Sequence, residues 1–271
     1  ALPVIGILHP GSSAGWAPFI AAFERGLKQM GFAANENVAI EHHWAESQPD
    51  RLRALTADLV RKQVAVIVTI SDVPTFAAKA ATTTIPILFT VAEDPVKLGL
   101  VRSLARPDGN LTGVNIFTSE VIAKRLELLR VLMPQATRVA ILLNPTYVAN
   151  TAIATRQGQA AAQAMNLQIQ FLHASTVGEI DAAFETIVRE RLDAMFVDLV
   201  PFFTSRRTQF ADLASRHAIP VMYGHRQFVE AGGLISYGPN LLEAWRQSGL
   251  YAGRILQGAK LAELPVVQAS K

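Results

Sequence analysis

Short apolar runs of strand length alternate along the chain with longer stretches in which apolar residues recur every three or four positions. Val4-Ile5-Gly6-Ile7-Leu8 reads as a buried strand, and Phe19, Phe23, Leu27 and Met30 then fall on one helical stripe. Residues 38–44 predict a second strand. Leu52, Leu55 and Leu59 mark a second helix, with Asp50 near its start. Residues 64–68 and 87–89 predict a third and a fourth strand. This β-α-β-α order predicts a parallel sheet covered by helices on both faces.

Around residues 110–117 the pattern pauses, and a helix striped by Ile122, Leu126, Leu129 and Met133 follows. The order then restarts and echoes the first half. Val139 to Pro145 resembles Val4 to Pro10, Ala194 to Asp198 resembles the third strand and its Ser71-Asp72, and Ile219 to Tyr223 resembles Ile85 to Phe89. Three matches in the same order at similar offsets predict two similar α/β lobes rather than one long domain. Leu234 to Gly238 reads as a strand or crossover. A last helix carries Trp245, Ser248, Ala252 and Ile255 and is closed by Gly258. If that helix packs on the first lobe, the chain passes between lobes more than once. The expected lobes are residues 1–116 with 239–264, and residues 117–238 with 265–271.

In an open parallel sheet, ligands bind just beyond the C-terminal strand ends, where loops converge and helix N-termini offer free N–H groups. In the first lobe that edge offers Ser12, Ser13, Trp16, Ser71, Asp72 and Asp94. In the second it offers Asn144, Tyr147, Asp198, Phe202, Phe203, Tyr223 and His225. Serine hydroxyls beside backbone amides suit a carboxylate, Asp198 with Asn144 suits an amine, and the aromatic rings suit a flat or apolar body. Each has a structural alternative. Serines before helices serve as N-caps. Asp72, before Pro74, reads as a cap or turn residue, and Asp94-Pro95 as a helix start. If Phe202 and Phe203 share one helical turn, at least one belongs to the core.

Composition narrows the function. Half of the 271 residues are hydrophobic and 17 % are charged, which excludes a disordered chain. The net charge of +3 comes without a basic run, which weighs against nucleic-acid binding. The chain contains no cysteine, so disulfides, thiol catalysis and Cys-type metal sites are excluded. No apolar stretch approaches the roughly twenty residues of a membrane helix. Ala1-Leu2-Pro3 leads straight into a strand, so the expectation is either a cytoplasmic protein or a processed form whose leader was removed.

Gly11-Ser12-Ser13-Ala14-Gly15 fits G-x-S-x-G between a strand and a helix, and Asp198 and His225 follow in the order of an α/β-hydrolase. Two features oppose a triad: Ser13 follows the first strand rather than a central one, and its partners belong to the other lobe. No dinucleotide fingerprint, P-loop or H-E-x-x-H motif is present. His42 and His43 are strand neighbours expected to point to opposite faces, one ring at the surface and one half-buried. No cofactor or metal is expected.

The opening strand with its Gly-Ser loop, Ala65 to Thr69, Ile85-Pro86-Ile87, Glu93 to Val96, Gly109 to Val114 and Gly232 to Gly238 stand in an order that resembles a known family over nearly the whole chain. The resemblance is to the extracytoplasmic substrate-binding proteins of ABC transporters, in the group that takes aromatic amino acids such as tryptophan. It implies a type I periplasmic binding protein, with two Rossmann-like lobes of parallel sheet joined by three crossovers that form a hinge. It further implies capture of a small molecule by hinge closure, delivery to a membrane permease, a monomer, and a periplasmic location. The loops at Ser12-Ser13, Ser71, Asp94, Asn144, Asp198 and Tyr223 match where this group contacts its ligand. One departure is that Leu199-Val200-Pro201-Phe202-Phe203 replaces the small polar residues that often follow the position of Asp198. That segment points to an aromatic or apolar carboxylate or amino-acid-like ligand. The alternatives are a serine hydrolase using Ser13 and a LacI-type ligand-sensing domain, which shares the lobe plan.

Overall fold

The computed structural model describes residues 2–13, 15–46, 48–116 and 121–269, without the Ala149 side chain. Ala14 of the G-x-S-x-G loop and the first expected lobe boundary, at 116/117, fall at or outside these residues. The chain divides into two compact units, residues 1–117 with 240–271 and residues 118–239.

Unit 1 is built in the order β1 (Val4–His9), α1 (Ala17–Gln29), β2 (Ala39–Trp44), α2 (Pro49–Arg61), β3 (Val66–Ile70), α3 (Asp72–Ala81), β4 (Ile87–Val91) and β5 (Leu111–Asn115). Unit 2 contains α4 (Val121–Leu132), β6 (Arg138–Leu143), α5 (Val148–Met165), β7 (Gln168–His173), α6 (Val177–Glu190) and β8 (Ala194–Val197). It continues with α7 (Pro201–Ser205), α8 (Arg207–His217), β9 (Val221–Tyr223), α9 (Arg226–Glu230) and β10 (Ile235–Ser236). The chain then re-enters unit 1 as α10 (Leu241–Leu256) and β11 (Val267–Gln268).

All strand pairs are parallel. Leaving β11 aside, the sheet of unit 1 runs β2-β1-β3-β4-β5 and that of unit 2 runs β7-β6-β8-β9-β10, the same topology twice. The inner strands β3, β4 and β8 are apolar and buried because helices cover both faces. In unit 1, Leu8, Ile67 and Phe89 pack with Leu52, Leu59 and Ala78 on the α2 and α3 side. On the other side lie α1 and α10, which cross at two glycines. A Cβ on Gly26 would stand 2.0 Å from Arg246 O, and one on Gly249 would stand 2.0 Å from Phe23 O. The last helix therefore belongs to unit 1.

Three expectations are corrected. The pause at 110–117 hides β5, whose Thr112, Gly113 and Asn115 obscure the apolar pattern. Gly113 is required there by packing, since a Cβ would come within 2.1 Å of Phe89 O on β4. The terminal segment 265–271 was expected in the second lobe, yet Val267 and Gln268 pair with Val114 and Asn115 of β5 and so belong to unit 1. Among the described residues the chain therefore leaves unit 1 after β5 and re-enters it before α10, and its last strand stays there. Asp94-Pro95 opens a turn rather than a helix: Asp94 Oδ1 accepts from Val96 N at 2.9 Å, and no helix follows β4 before β5.

Gly113→Ala is expected to destabilise the protein by roughly 1–3 kcal/mol through overpacking against β4. Gly178→Ala, where an added Cβ meets nothing within 4 Å, is expected to stabilise by up to about 1 kcal/mol through helix propensity. Urea denaturation of both variants checks the opposite signs.

Candidate functional site

In unit 1, β1 ends at His9, and the loop 10–16 leads to α1, where Trp16 occupies the N-cap position without a capping side-chain bond. Ser12 is half-buried and Ser13 exposed. Neither is an N-cap. The β1–β2 register pairs His9 with Trp44 and Ile7 with His42, which puts those side chains on one face of the sheet. His9 is fully buried and stacks on Trp44 at 3.6 Å between ring centroids. Trp16 meets its edge at 5.3 Å, and Trp245 of α10 lies parallel to it at 6.0 Å. His9 Nε2 is 3.1 Å from His42 Nδ1. Burial, and then the neighbouring His42 and His43, hold the His9 pKa well below the ordinary histidine range. His43 turns to the opposite face, where its Nε2 lies 3.1 Å from Glu41 Oε2. The opposed orientation matches the expectation from alternation, but both histidines are half-buried and neither is a surface ring.

Beyond β3, Ser71 is the N-cap of α3 with φ 71° and ψ 174°, a region that disfavours every residue but glycine. Its carbonyl accepts from Thr75 Oγ1, but its own Oγ is buried without a hydrogen-bond partner. The residue thus takes the capping position and leaves the cap unmade. Asp72 follows as the first helical residue. Burial raises its pKa, opposed by the N–H groups of Val73 and of Asp72 itself. Among the described residues four buried side-chain polar atoms lack a partner, and three of them stand at C-terminal strand ends of this sheet: His9 Nδ1, Ser71 Oγ and Asn115 Oδ1. Such groups are rare in folded proteins, so their gathering at one edge marks it as a place for polar contact.

In unit 2, Asn144 follows β6 and accepts from Thr146 N and Thr146 Oγ1 at 3.0 and 2.7 Å, a local turn. Tyr147 begins α5 and is buried among the core side chains. Asp198 follows β8 and is buried. One carboxyl oxygen accepts from Leu199 N at 2.8 Å, the other from Asn150 Nδ2. Burial pushes its pKa up, while the Leu199 amide, the Arg125 charge and Asn150 oppose that rise. Arg125, 1 % exposed, donates from Nε to Tyr237 O at 2.6 Å and from Nη2 to Gly224 O at 3.2 Å. Its burial lowers its own pKa to about 10.

Three further aromatic or imidazole positions proposed from sequence are drawn into the core. Phe203 packs on Phe210 at 5.4 Å, whereas Phe202 on the same short helix stays half-buried, which settles which of the pair is core. Tyr223 stacks on Phe228 at 4.6 Å, and its hydroxyl donates to Phe210 O at 3.4 Å. His225 is buried, with Nε2 3.2 Å from Thr204 Oγ1 and Nδ1 2.7 Å from Gln227 Oε1. These contacts occupy His225, while Leu199 and Asn150 occupy Asp198. The pairings thus use the groups that a triad would need to orient its histidine. Among the described residues no three histidine or carboxylate groups gather as a metal site.

Sequence reasoning missed His9, His42, Trp44 and Trp245 as a cluster, and Arg125 and Asn150 beside Asp198. His9 stood at a strand end and was visible as such, but only the β1–β2 register shows what it meets.

Burial lowers the His225 pKa to about 3. The folded state therefore resists protonation that the unfolded chain accepts near pH 6.5. Stability from this group is whole above that pH and is lost as pH falls toward about 3. Between pH 6.5 and 5 the loss is about 2 kcal/mol, at 1.36 kcal/mol per pH unit. Urea midpoints at pH 7 and pH 5 should fall less in His225→Gln than in the parent protein.

Comparison with known proteins agrees with this architecture. The chain is 27 % identical over 244 residues to a tyrosine-binding protein of Clostridioides difficile (strain R20291), covering 90 % of this chain and 70 % of the relative. The crystal structure of an ABC domain in complex with L-Trp from Streptococcus pneumonia superposes with a TM-score of 0.85, with 22 % identity over 100 % of this chain and 90 % of that one. A conserved domain protein of Vibrio cholerae gives a TM-score of 0.86, also at 22 % identity and the same coverage. These solved structures share the fold, two sets of parallel sheet in the manner of type I periplasmic binding proteins. The family model for ABC transporter substrate binding proteins matches residues 5–271, and the chain belongs to that family.

Proposed function

We propose that this protein is the extracytoplasmic, periplasmic receptor of an ABC importer, and that it captures an aromatic amino acid between its two units by hinge closure and presents it to a membrane permease. The observation that carries this reading is the set of unpartnered polar atoms at the strand ends of unit 1, above all Ser71 Oγ at the start of α3. A carboxylate there would accept from the Ser71 hydroxyl and lie at the positive end of α3. Asp198, at the corresponding edge of unit 2, would take the ammonium. The positive ligand would favour the ionised carboxylate that burial disfavours. Phe202, half-buried, is the ring best suited to an aromatic side chain, whereas Trp16 is buried against His9, Phe19 and Trp245. Ser12, Ser13, Asp94 and Asn144 belong to the surrounding loops.

Closure follows from the division of the contacts. A ligand favours the closed arrangement only if it touches both units there, and exclusion of water strengthens each polar contact. The tyrosine-binding relative and the L-Trp complex support an aromatic amino acid. The protein acts as a monomer that binds without chemistry on its ligand and does not engage nucleic acid.

Isothermal titration of the protein with L-tryptophan and with L-tyrosine is expected to give saturable one-to-one binding of at least one of them. Asp198→Asn should weaken it by tenfold or more, since losing one charge-assisted contact costs about 1.5–3 kcal/mol. Ser71→Gly should weaken it while holding or raising the melting temperature, because glycine relieves the φ 71° strain. Undiminished binding by both variants would overturn the assignment.

A further inference from the structure

We propose that His9 and His42 are positioning residues that hold the loop 10–16, with its Ser12 and Ser13, in a proton-dependent position. The loop begins at His9 and ends at Trp16, and these two rings touch edge to face at 5.3 Å. Both ends are therefore fixed in one aromatic cluster. Two backbone bonds tie the start of the loop to the end of β2: Ala45 N donates to His9 O at 2.9 Å, and Glu46 N donates to Gly11 O at 3.2 Å. Whatever moves the His9 ring or the end of β2 moves the loop.

The proton arithmetic of the pair makes that position conditional. The 3.1 Å contact between His9 Nε2 and His42 Nδ1 needs one proton between two nitrogens. In the neutral pair His9 Nε2–H can donate to His42, leaving a bare acceptor at the buried Nδ1 of His9. A proton added to the half-buried His42 makes its Nδ1 a donor. His9 Nε2 must then accept, and the His9 proton is forced onto Nδ1, where it has no partner. A second proton turns both facing nitrogens into donors and breaks the contact. Each step adds an unmet donor or a repulsion inside a packed ring stack.

Among the described residues no acidic side chain bonds His9 or His42, Glu46 at the end of β2 being exposed. On β2, His43 and Glu41 face the opposite side, where they bond each other and Lys62 binds Glu41. On α1, Glu24, Arg25 and Lys28 are exposed. On α10, Glu243 and Arg246 pair with each other. β3 carries no titratable residue, and the carboxyl of Asp72 beyond it is held by backbone amides. The lowered pKa values of His9 and His42, each caused first by burial, agree with the geometry.

The chain's three tryptophans, Trp16, Trp44 and Trp245, all lie in this cluster. Intrinsic tryptophan fluorescence of the ligand-free protein therefore reports on it alone. Between pH 8 and 5, fluorescence is expected to fall with a midpoint below the ordinary histidine value of about 6.5. The amide resonances of Gly11 and Gly15 should shift with the same midpoint. His42→Gln should remove both transitions, while His43→Gln keeps them. The ligand role of the loop rests on the function proposed above, and a second arm tests it. A coupling of half a pKa unit weakens L-tryptophan binding about threefold on acidification. Asp198 adds its own pH dependence equally to parent and variant, so the difference between parent and His42→Gln carries the test. Fluorescence and glycine shifts that are flat in the parent protein, or identical in His42→Gln, overturn the proposal. If the transitions occur and vanish in His42→Gln while neither amino acid binds at any pH, the latch stands and the functional reading fails.

Discussion

Parallel pairing obliges every strand of a sheet to leave the layer at the same edge, and the rest of this protein follows from that obligation. Both units adopt it with the same strand order, so each gathers its loops and helix starts along one rim. Their inner strands β3, β4 and β8 are buried on both faces and read as nearly unbroken apolar runs. Polar chemistry is therefore displaced to the strand ends. His9, Ser71 and Asn115 in unit 1, and Asn144, Asp198 and His225 in unit 2, all follow or close a strand.

The two rims treat their polar groups differently. In unit 2 the buried groups are largely satisfied from within. Asp198 is bonded by Leu199 and Asn150, Arg125 donates to two carbonyls, and His225 lies between Thr204 and Gln227. In unit 1 three buried atoms at the rim remain unpartnered, and one of them belongs to a residue at φ 71°. Strain and unsatisfied polarity cost stability unless something repays them. The proposed capture of a carboxylate, and the proposed proton-dependent hold on the loop 10–16, give those costs a use.

The reading from sequence succeeded where local pattern and fold agree. The restart of Val4 to Pro10 as Val139 to Pro145 corresponds to β1 and β6, which occupy the same place in their sheets. It failed where a residue's identity answers to a neighbour distant in sequence. The pattern pauses at 110–117, yet Gly113 lies in β5 because only glycine fits beside the carbonyl of Phe89. Phe203 and Tyr223 read as ligand rings because they stand near strand ends, but Phe210 and Phe228 claim them for the core.

Hydrophobic periodicity alone determined that the chain makes two repeated α/β lobes with loops converging at strand ends, because period and order are local properties of the chain. The tertiary structure decided which of those end residues are spent on packing and which are left unpaired. It also decided that 265–271 joins the first sheet and that three tryptophans surround one histidine pair. Each of these depends on register and on contacts between segments far apart in sequence, which no run of residues specifies by itself.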